Sequence, residues 1–354
     1  MKIKLAILEK DTSYLNRIIA VFGTKYADKF EIYSFSDPSV AISTVESARI
    51  DVLVASTAFD INADELPARC GFAYFVDSMD IDTYKGERAI CKFQKADLIY
   101  KQILSIYSES AGSVSGLKLG DDVSKVIFFT SVSGGTGTSS MAAACATYFA
   151  SNGKKALYLN IESFGSSDVY FNAEGQFDMS DIIFALKSKK TNISLKLESC
   201  VKQDTRGVYF YSQSKIALDM LELGEEEIIH LLDELKIAGA YDYIIVDCRF
   251  DLDKKTTEIL KQAHYIVWVC DGSASTNSKM VRAYNALAIK EQTEDLRLLD
   301  RLCLVYNKFS NKTSQTIGEL PIRNVGGAPR FEHATTEQIV NKLATMQMFN
   351  EIVK

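Results

Sequence analysis

The residues best placed for chemistry lie in one segment, Val126-Ile-Phe-Phe-Thr-Ser-Val-Ser-Gly-Gly-Thr-Gly-Thr-Ser-Ser-Met-Ala-Ala143. An apolar strand feeds a turn containing Gly134, Gly135 and Gly137, and a helix of small residues starts at once. Such a turn aims several backbone N–H groups and the positive end of a helix at one point, which makes an anion site suited to phosphates. Glycines are needed because a Cβ would keep a phosphate away from the backbone. A turn of this composition also serves as a plain tight connection, so its surroundings must decide.

The common phosphate-loop pattern G-x-x-x-x-G-K-[ST] is not met, because Val132 stands at its first glycine and Thr138 at its lysine. The dinucleotide pattern G-x-G-x-x-G fails as well. Four other apolar runs end in polar residues: Leu157-Tyr-Leu-Asn160-Ile-Glu162, Tyr241-Asp-Tyr-Ile-Ile-Val-Asp247, Ala263-His-Tyr-Ile-Val-Trp-Val-Cys-Asp271 and Cys303-Leu-Val-Tyr-Asn307-Lys308. In this order, over about residues 124–350, the sequence resembles the MinD and ParA superfamily, whose deviant loop reads K-G-G-x-G-K-[ST]. Ser133 stands at its first lysine, Thr138 at its second, and Ser139 at its magnesium-ligating hydroxyl. The resemblance implies that Ser133, Gly134, Gly135, Thr136, Gly137, Thr138, Ser139 and Ser140 cradle the phosphates of ATP. It further implies that Ser139 and Asp247 hold Mg2+, that Asn307 pairs with adenine, and that Asn160 and Glu162 stand where the family carries D-x-D.

In that superfamily the second lysine neutralises the terminal phosphates and the first reaches a partner's phosphate across a dimer. Both cationic roles are missing at Ser133 and Thr138. Stabilisation of transition-state charge is a large part of phosphoryl transfer, so the expectation is ATP binding with slow or absent hydrolysis. Arg249, two residues after Asp247, is a candidate replacement cation in cis or across a dimer, and Glu162 is a candidate for positioning water. Each also has an ordinary reading as a solvated side chain. His230, His264 and His333 have no motif partner, and structural or surface roles are expected of them.

The elements that must position these residues follow from the rest of the 354-residue chain. At about 150 residues per domain, that length predicts two globular units. Hydrophobic residues make up 47% and charged residues 24%, an average soluble composition that excludes wholesale disorder. The net charge of -6 supplies no basic stripe for nucleic acid, and no apolar run approaches the roughly 20 residues of a membrane-spanning helix. Seven scattered cysteines without a CxxC spacing argue for a reducing compartment and against a zinc site. With no leader-like segment at residue 1, a cytoplasmic protein is expected. The Ser- and Gly-rich stretch around 108–120 reads as a linker, giving domains at 1–108 and 122–354 joined by 109–121. On both sides, apolar strands alternate with helical periodicity, which predicts two doubly wound α/β domains. A stunted crossover helix is expected at 77–88, and a helix from about Ala96 to Tyr107.

Residues 1–108 resemble a CheY-like response-regulator receiver in strand order. Aligning the strands puts Glu9 and Lys10 at the receiver's acidic pair, with Asp11 nearby, Ser56 at the phosphoacceptor and Lys92 at the lysine. A serine cannot form an acyl phosphate and Lys10 opposes magnesium, so a pseudo-receiver used for docking or localisation is expected. The bland reading of Lys92 is a solvated side chain.

A degenerate receiver followed by a deviant P-loop domain is similar to the arrangement of the TadZ and CpaE family, which localises tight-adherence (Flp-type) pilus secretion machinery to the cell pole. That resemblance implies a homodimer binding ATP and Mg2+ that serves as a scaffold for other pilus assembly proteins, with no nucleic acid partner and at most peripheral membrane contact. The C-terminal helix carrying Ile339, Leu343, Met346, Phe349 and Ile352 is expected to pack in the core, because Lys342 and Lys354 are its only basic residues and membrane-surface helices are Lys/Arg-rich. Two rivals remain: an active ATPase cycling between monomer and dimer, and a regulator controlled by phosphorylation of its N-terminal domain.

Overall fold

A computed structural model of the protein describes residues 2–111, 124–188, 191–318 and 320–354; residues 112–121 of the expected linker lie outside them. Residue contacts divide the chain into two units: Met1–Ser115 with Ala185–Cys200, and Gly116–Phe184 with Val201–Lys354.

In the first unit, β1 (Ile3–Leu8), α1 (Thr12–Lys25), β2 (Phe30–Phe35), α2 (Pro38–Ser47), β3 (Val52–Ser56), β4 (Gly71–Val76), β5 (Thr83–Tyr84), β6 (Glu87–Cys91) and α3 (Ala96–Ser110) follow in order. The sheet runs β2-β1-β3-β4-β6-β5 and is parallel except for the β5–β6 pair. This is the doubly wound receiver order. Apolar side chains fill both faces: Ile7, Phe22, Phe75 and Ile103 on one, Leu8, Leu53, Ala55 and Tyr74 on the other. Asp11 starts α1 by accepting the N–H groups of Ser13 and Tyr14, and Asp37 does the same for α2 ahead of Pro38.

Two departures from the sequence reading appear here. The 77–88 connection holds no helix but the short antiparallel arm β5, and the 57–70 connection is reduced to one 3-10 turn at Ala63–Glu65. The last helix runs to Ser110, so residues 109 and 110 are helical. The helix Ile193–Cys200 also belongs to this unit and lies against α3. Its Glu198 Oε1 accepts from Lys29 Nζ (2.9 Å) and Tyr100 OH (2.7 Å), and its buried Lys196 donates to Ser105 Oγ (2.8 Å).

The second unit begins with β7 (Lys125–Thr130), α4 (Thr138–Ser151), β8 (Ala156–Asn160), α5 (Ser167–Tyr170) and α6 (Met179–Ser188), whose last residues fall in the first unit, as does α7 (Ile193–Cys200). It continues with β9 (Lys202–Gln203), β10 (Tyr209–Phe210), α8 (Ala217–Leu221), α9 (Glu225–Ala238), β11 (Tyr243–Asp247), α10 (Lys254–Leu260), β12 (Tyr265–Cys270) and α11 (Ala274–Thr293). β13 (Leu302–Phe309), β14 (Arg323–Pro329), α12 (Thr336–Leu343) and α13 (Met348–Ile352) complete it. The sheet order is β14-β13-β12-β7-β11-β8-β10-β9, parallel except at β9. Strand order reverses at β7, so the glycine-rich turn leaves the sheet at its topological switch point, where such folds bind ligands.

The expected C-terminal helix is two, α12 and α13, separated at Ala344–Gln347. Leu343, Met348, Phe349 and Ile352 are buried against α4 and the sheet, as core packing requires. Among the described residues no helix is long and apolar enough to cross a membrane.

Candidate functional site

β7 ends at Thr130, and residues 131–137 loop back into α4. Gly135 (φ +79°) and Gly137 (φ +84°) take left-handed conformations that other residues rarely adopt. Gly137 has a second requirement: a Cβ there would lie 2.4 Å from Asn307 Nδ2. Ser131 Oγ fixes the start of the loop by donating to Val269 O (2.7 Å) and accepting the Ser133 N–H (3.2 Å). Among the described residues, the backbone N–H groups from Gly134 through Ser140 make no hydrogen bond of good geometry; the first helical bond is Met141 N–H to Gly137 O (3.0 Å). The loop therefore presents a fan of unspent donors at the N-terminus of a 14-residue helix.

Two strand-end residues brace the loop from the far side. Buried Asn307 donates through Nδ2 to Thr136 O (2.8 Å), and Lys308 Nζ donates to Gly135 O (2.7 Å). Lys308 itself has φ +55°, a strained conformation for a lysine. These contacts hold the two carbonyls away from the cradle. One amide hydrogen of Asn307 is thereby spent on the loop. Beyond it, a cleft of about 570 Å³ is lined by Ser140, Asn307, Lys308, Pro329, Arg330, Phe331, Glu332, His333 and Ile339, which is large enough for a nucleobase and its sugar.

At the opposite lip, Asp247 ends β11 fully buried. Its Oδ2 accepts from Tyr158 OH (2.8 Å) and Asn160 Nδ2 (2.9 Å), while its Oδ1 has no hydrogen-bond partner among the described residues. Burial, then the charge of Glu162, push this carboxyl up to about 7; the nearby Ser139 hydroxyl and the Tyr158 and Asn160 hydrogen bonds oppose the shift. Burial also raises Glu162, against the pull of Arg249. Thus Ser139, Asn160, Glu162 and Asp247 gather at one lip of the loop. Arg249 is the exception among the expected residues: its side chain is 83% exposed and its nearest carboxylate is Asp251, at 3.7 Å. Asn160 is buried and engaged with Asp247, and its Oδ1 accepts the Glu162 N–H (2.9 Å).

Several site residues carried no motif signal. Tyr158, on the same strand as Asn160, was visible only as an apolar strand position. Tyr170 lies near Ser139, Ser140 and Asp247, and burial raises its hydroxyl. Phe331 and His333 sit in the nucleobase-sized cleft, far along the chain from the loop.

In the first unit the receiver positions form a closed ion pair. Glu9 Oε1 accepts the Lys10 and Asp11 N–H groups (2.8 and 3.0 Å), and Glu9 Oε2 faces Lys92 Nζ at 2.9 Å, with Asp77 at 3.6 Å. Lys92 is therefore paired rather than solvated. Asp11 is occupied as the cap of α1, which removes it as a substitute acid, and Ser56 is buried.

Comparison with known proteins agrees with this geometry. Residues 1–108 match the family described as TadZ-like, receiver domain, and residues 124–294 match the family described as AAA domain. The first 108 residues are thus similar to a TadZ-like receiver domain, and residues 124–294 to an AAA domain. Among solved structures, a ParA family ATPase from Chlorobium tepidum TLS is 23% identical over 65% of this chain and 97% of its own, with a TM-score of 0.50. A chain of the MinC:MinD cell division protein complex of Aquifex aeolicus is 19% identical over 65% of this chain and 93% of its own, also at 0.50. At these identities the likeness establishes the fold. No curated protein matches the chain.

Proposed function

We propose that this TadZ-like chain binds ATP with Mg2+ at the Gly134–Ser140 cradle, hydrolyses it slowly or not at all, and works as a homodimeric scaffold at the cell pole for Flp-type pilus assembly. The observation carrying the nucleotide reading is the combination of unspent loop N–H groups with the orphaned, buried Asp247 Oδ1 beside Ser139. A hard cation suits that lip: Ser139 and Asp247 would hold Mg2+, which supplies charge neutralisation to phosphate oxygens when bound. The protein's own groups cradle the phosphates through backbone N–H donors, and the Asn307 side of the loop orients the base. Ser133 and Thr138 bring no positive charge, and this supports slow turnover.

The pilus and polar parts of the proposal rest on the TadZ-like receiver. Its closed Glu9–Lys92 pair and buried Ser56 favour docking over phosphoryl exchange.

One assay decides between scaffold and active ATPase. Phosphate release from Mg·ATP is expected at background while Mg·ATP raises Tm. Release well above background that disappears in Asp247→Ala would establish the ATPase instead.

A further inference from the structure

Ser133 stands where the loop carries no lysine, yet a lysine is present there in space. Lys279, in the second turn of α11, places its Nζ 3.3 Å from Ser133 Oγ. The side chain is exposed and forms no ion pair with any described carboxylate. The cation at the other end of the loop differs: Lys308 donates to a backbone carbonyl, Gly135 O, and so serves the loop's shape. A hydroxyl is a weaker partner than a carbonyl or carboxylate, and the contact leaves donors of the Lys279 ammonium free. Val132, the residue before Ser133, lines a second cleft of about 660 Å³ together with Lys279, Arg282 and Asp251, so two cations and one carboxylate face the loop's entrance.

We infer that Lys279 is a phosphate-binding residue of the cradle, supplying from α11 the positive charge that Ser133 does not provide. Its ligand is the anionic end of a nucleoside polyphosphate seated on the Gly134–Ser140 N–H groups, and the inference rests on the nucleotide reading given above. α11 begins just beyond β12, the strand beside β7, with Ser273 capping its first turn through the Thr276 N–H. Lys279 lies one turn further on, facing the loop. A long, flexible side chain in that place can turn its ammonium from the Ser133 hydroxyl to a phosphate oxygen without moving the backbone. Charge matters more than hydrogen bonding in this role, because the loop already has N–H donors in excess.

The test is equilibrium binding of Mg·ATP and Mg·ADP to the full chain and to Lys279→Ala, Lys279→Gln and Lys279→Arg, with Tm measured without nucleotide. Loss of one charge-assisted contact predicts ATP binding weakened about tenfold in the Ala and Gln variants, a flatter salt dependence, unchanged Tm, and affinity kept by Lys279→Arg. Wild-type affinity in Lys279→Ala, or full rescue by Lys279→Gln, overturns the role of Lys279 and leaves the nucleotide site standing. Absence of ATP binding by the unaltered chain overturns both.

Discussion

Asp247 concentrates the electrostatics of the site in one residue. It is fully buried, one oxygen is satisfied by Tyr158 and Asn160, the other is orphaned, and its carboxyl is raised to about 7. A carboxyl raised above its unfolded value near 3.9 binds a proton more tightly when folded. Its ionisation therefore costs the fold stability progressively from about pH 4 to 7, and the full cost is present above that. Asn at this position keeps the size and can still accept from Tyr158 while carrying no charge. Without Mg2+, Asp247→Asn should accordingly have a higher Tm than the parent at pH 8, with the difference shrinking as pH falls towards 5. Equal Tm values across that range would show that the carboxylate is not held against its own desolvation. The sequence made Asp247 recognisable as the end of an apolar strand, but its neighbours less so. Tyr158 reads as one more strand residue, and Lys279 lies 146 positions from the Ser133 that it contacts.

At the scale of elements, apolar runs of four or more residues located nearly every central strand, because a parallel strand covered on both faces has no polar side to confuse the pattern. Edge pieces were harder. β10 is only Tyr209–Phe210 although the apolar run Val208–Tyr211 is longer, and the polar 77–88 connection holds the arm β5 where a helix was expected. Short edge pairing is decided by neighbours in space and leaves little periodicity in the sequence. The C-terminal pattern was read as one helix because its apolar positions keep a helical spacing across the Ala344–Gln347 break. Its burial is nonetheless clear: Phe349 is fully buried, with its ring 5.7 Å from that of Tyr148 on α4. Phe349→Ala should destabilise the second unit by about 3–5 kcal/mol, read by chemical denaturation. A loss under 1 kcal/mol would mean that α13 is not part of the core and would return the helix to a role as a membrane or partner element.

For the whole molecule, the mildly acidic, average composition conceals two α/β folds, each departing from the motif of the family that it resembles. The receiver-like fold has Ser56 at the expected phosphoacceptor position and a closed Glu9–Lys92 pair; the ParA/MinD-like fold has Ser133 and Thr138 where the resemblance expects lysines. Both folds were legible in the order of their motifs, since strand-end residues recur in sequence as the topology demands. The division of contacts was not: the helix Ile193–Cys200 joins the first unit through Glu198 and Lys196 although it lies far beyond the linker. Nothing in its local pattern distinguishes it from a helix of the second unit. The proposed phosphate cradle lacks the two lysines that the resemblance expects, and titration calorimetry of the full chain with ATP in the presence of Mg2+ tests it most directly. The prediction is saturable binding to a single site per chain. No heat of binding at millimolar ATP would contradict it and leave a scaffold that does not use nucleotide.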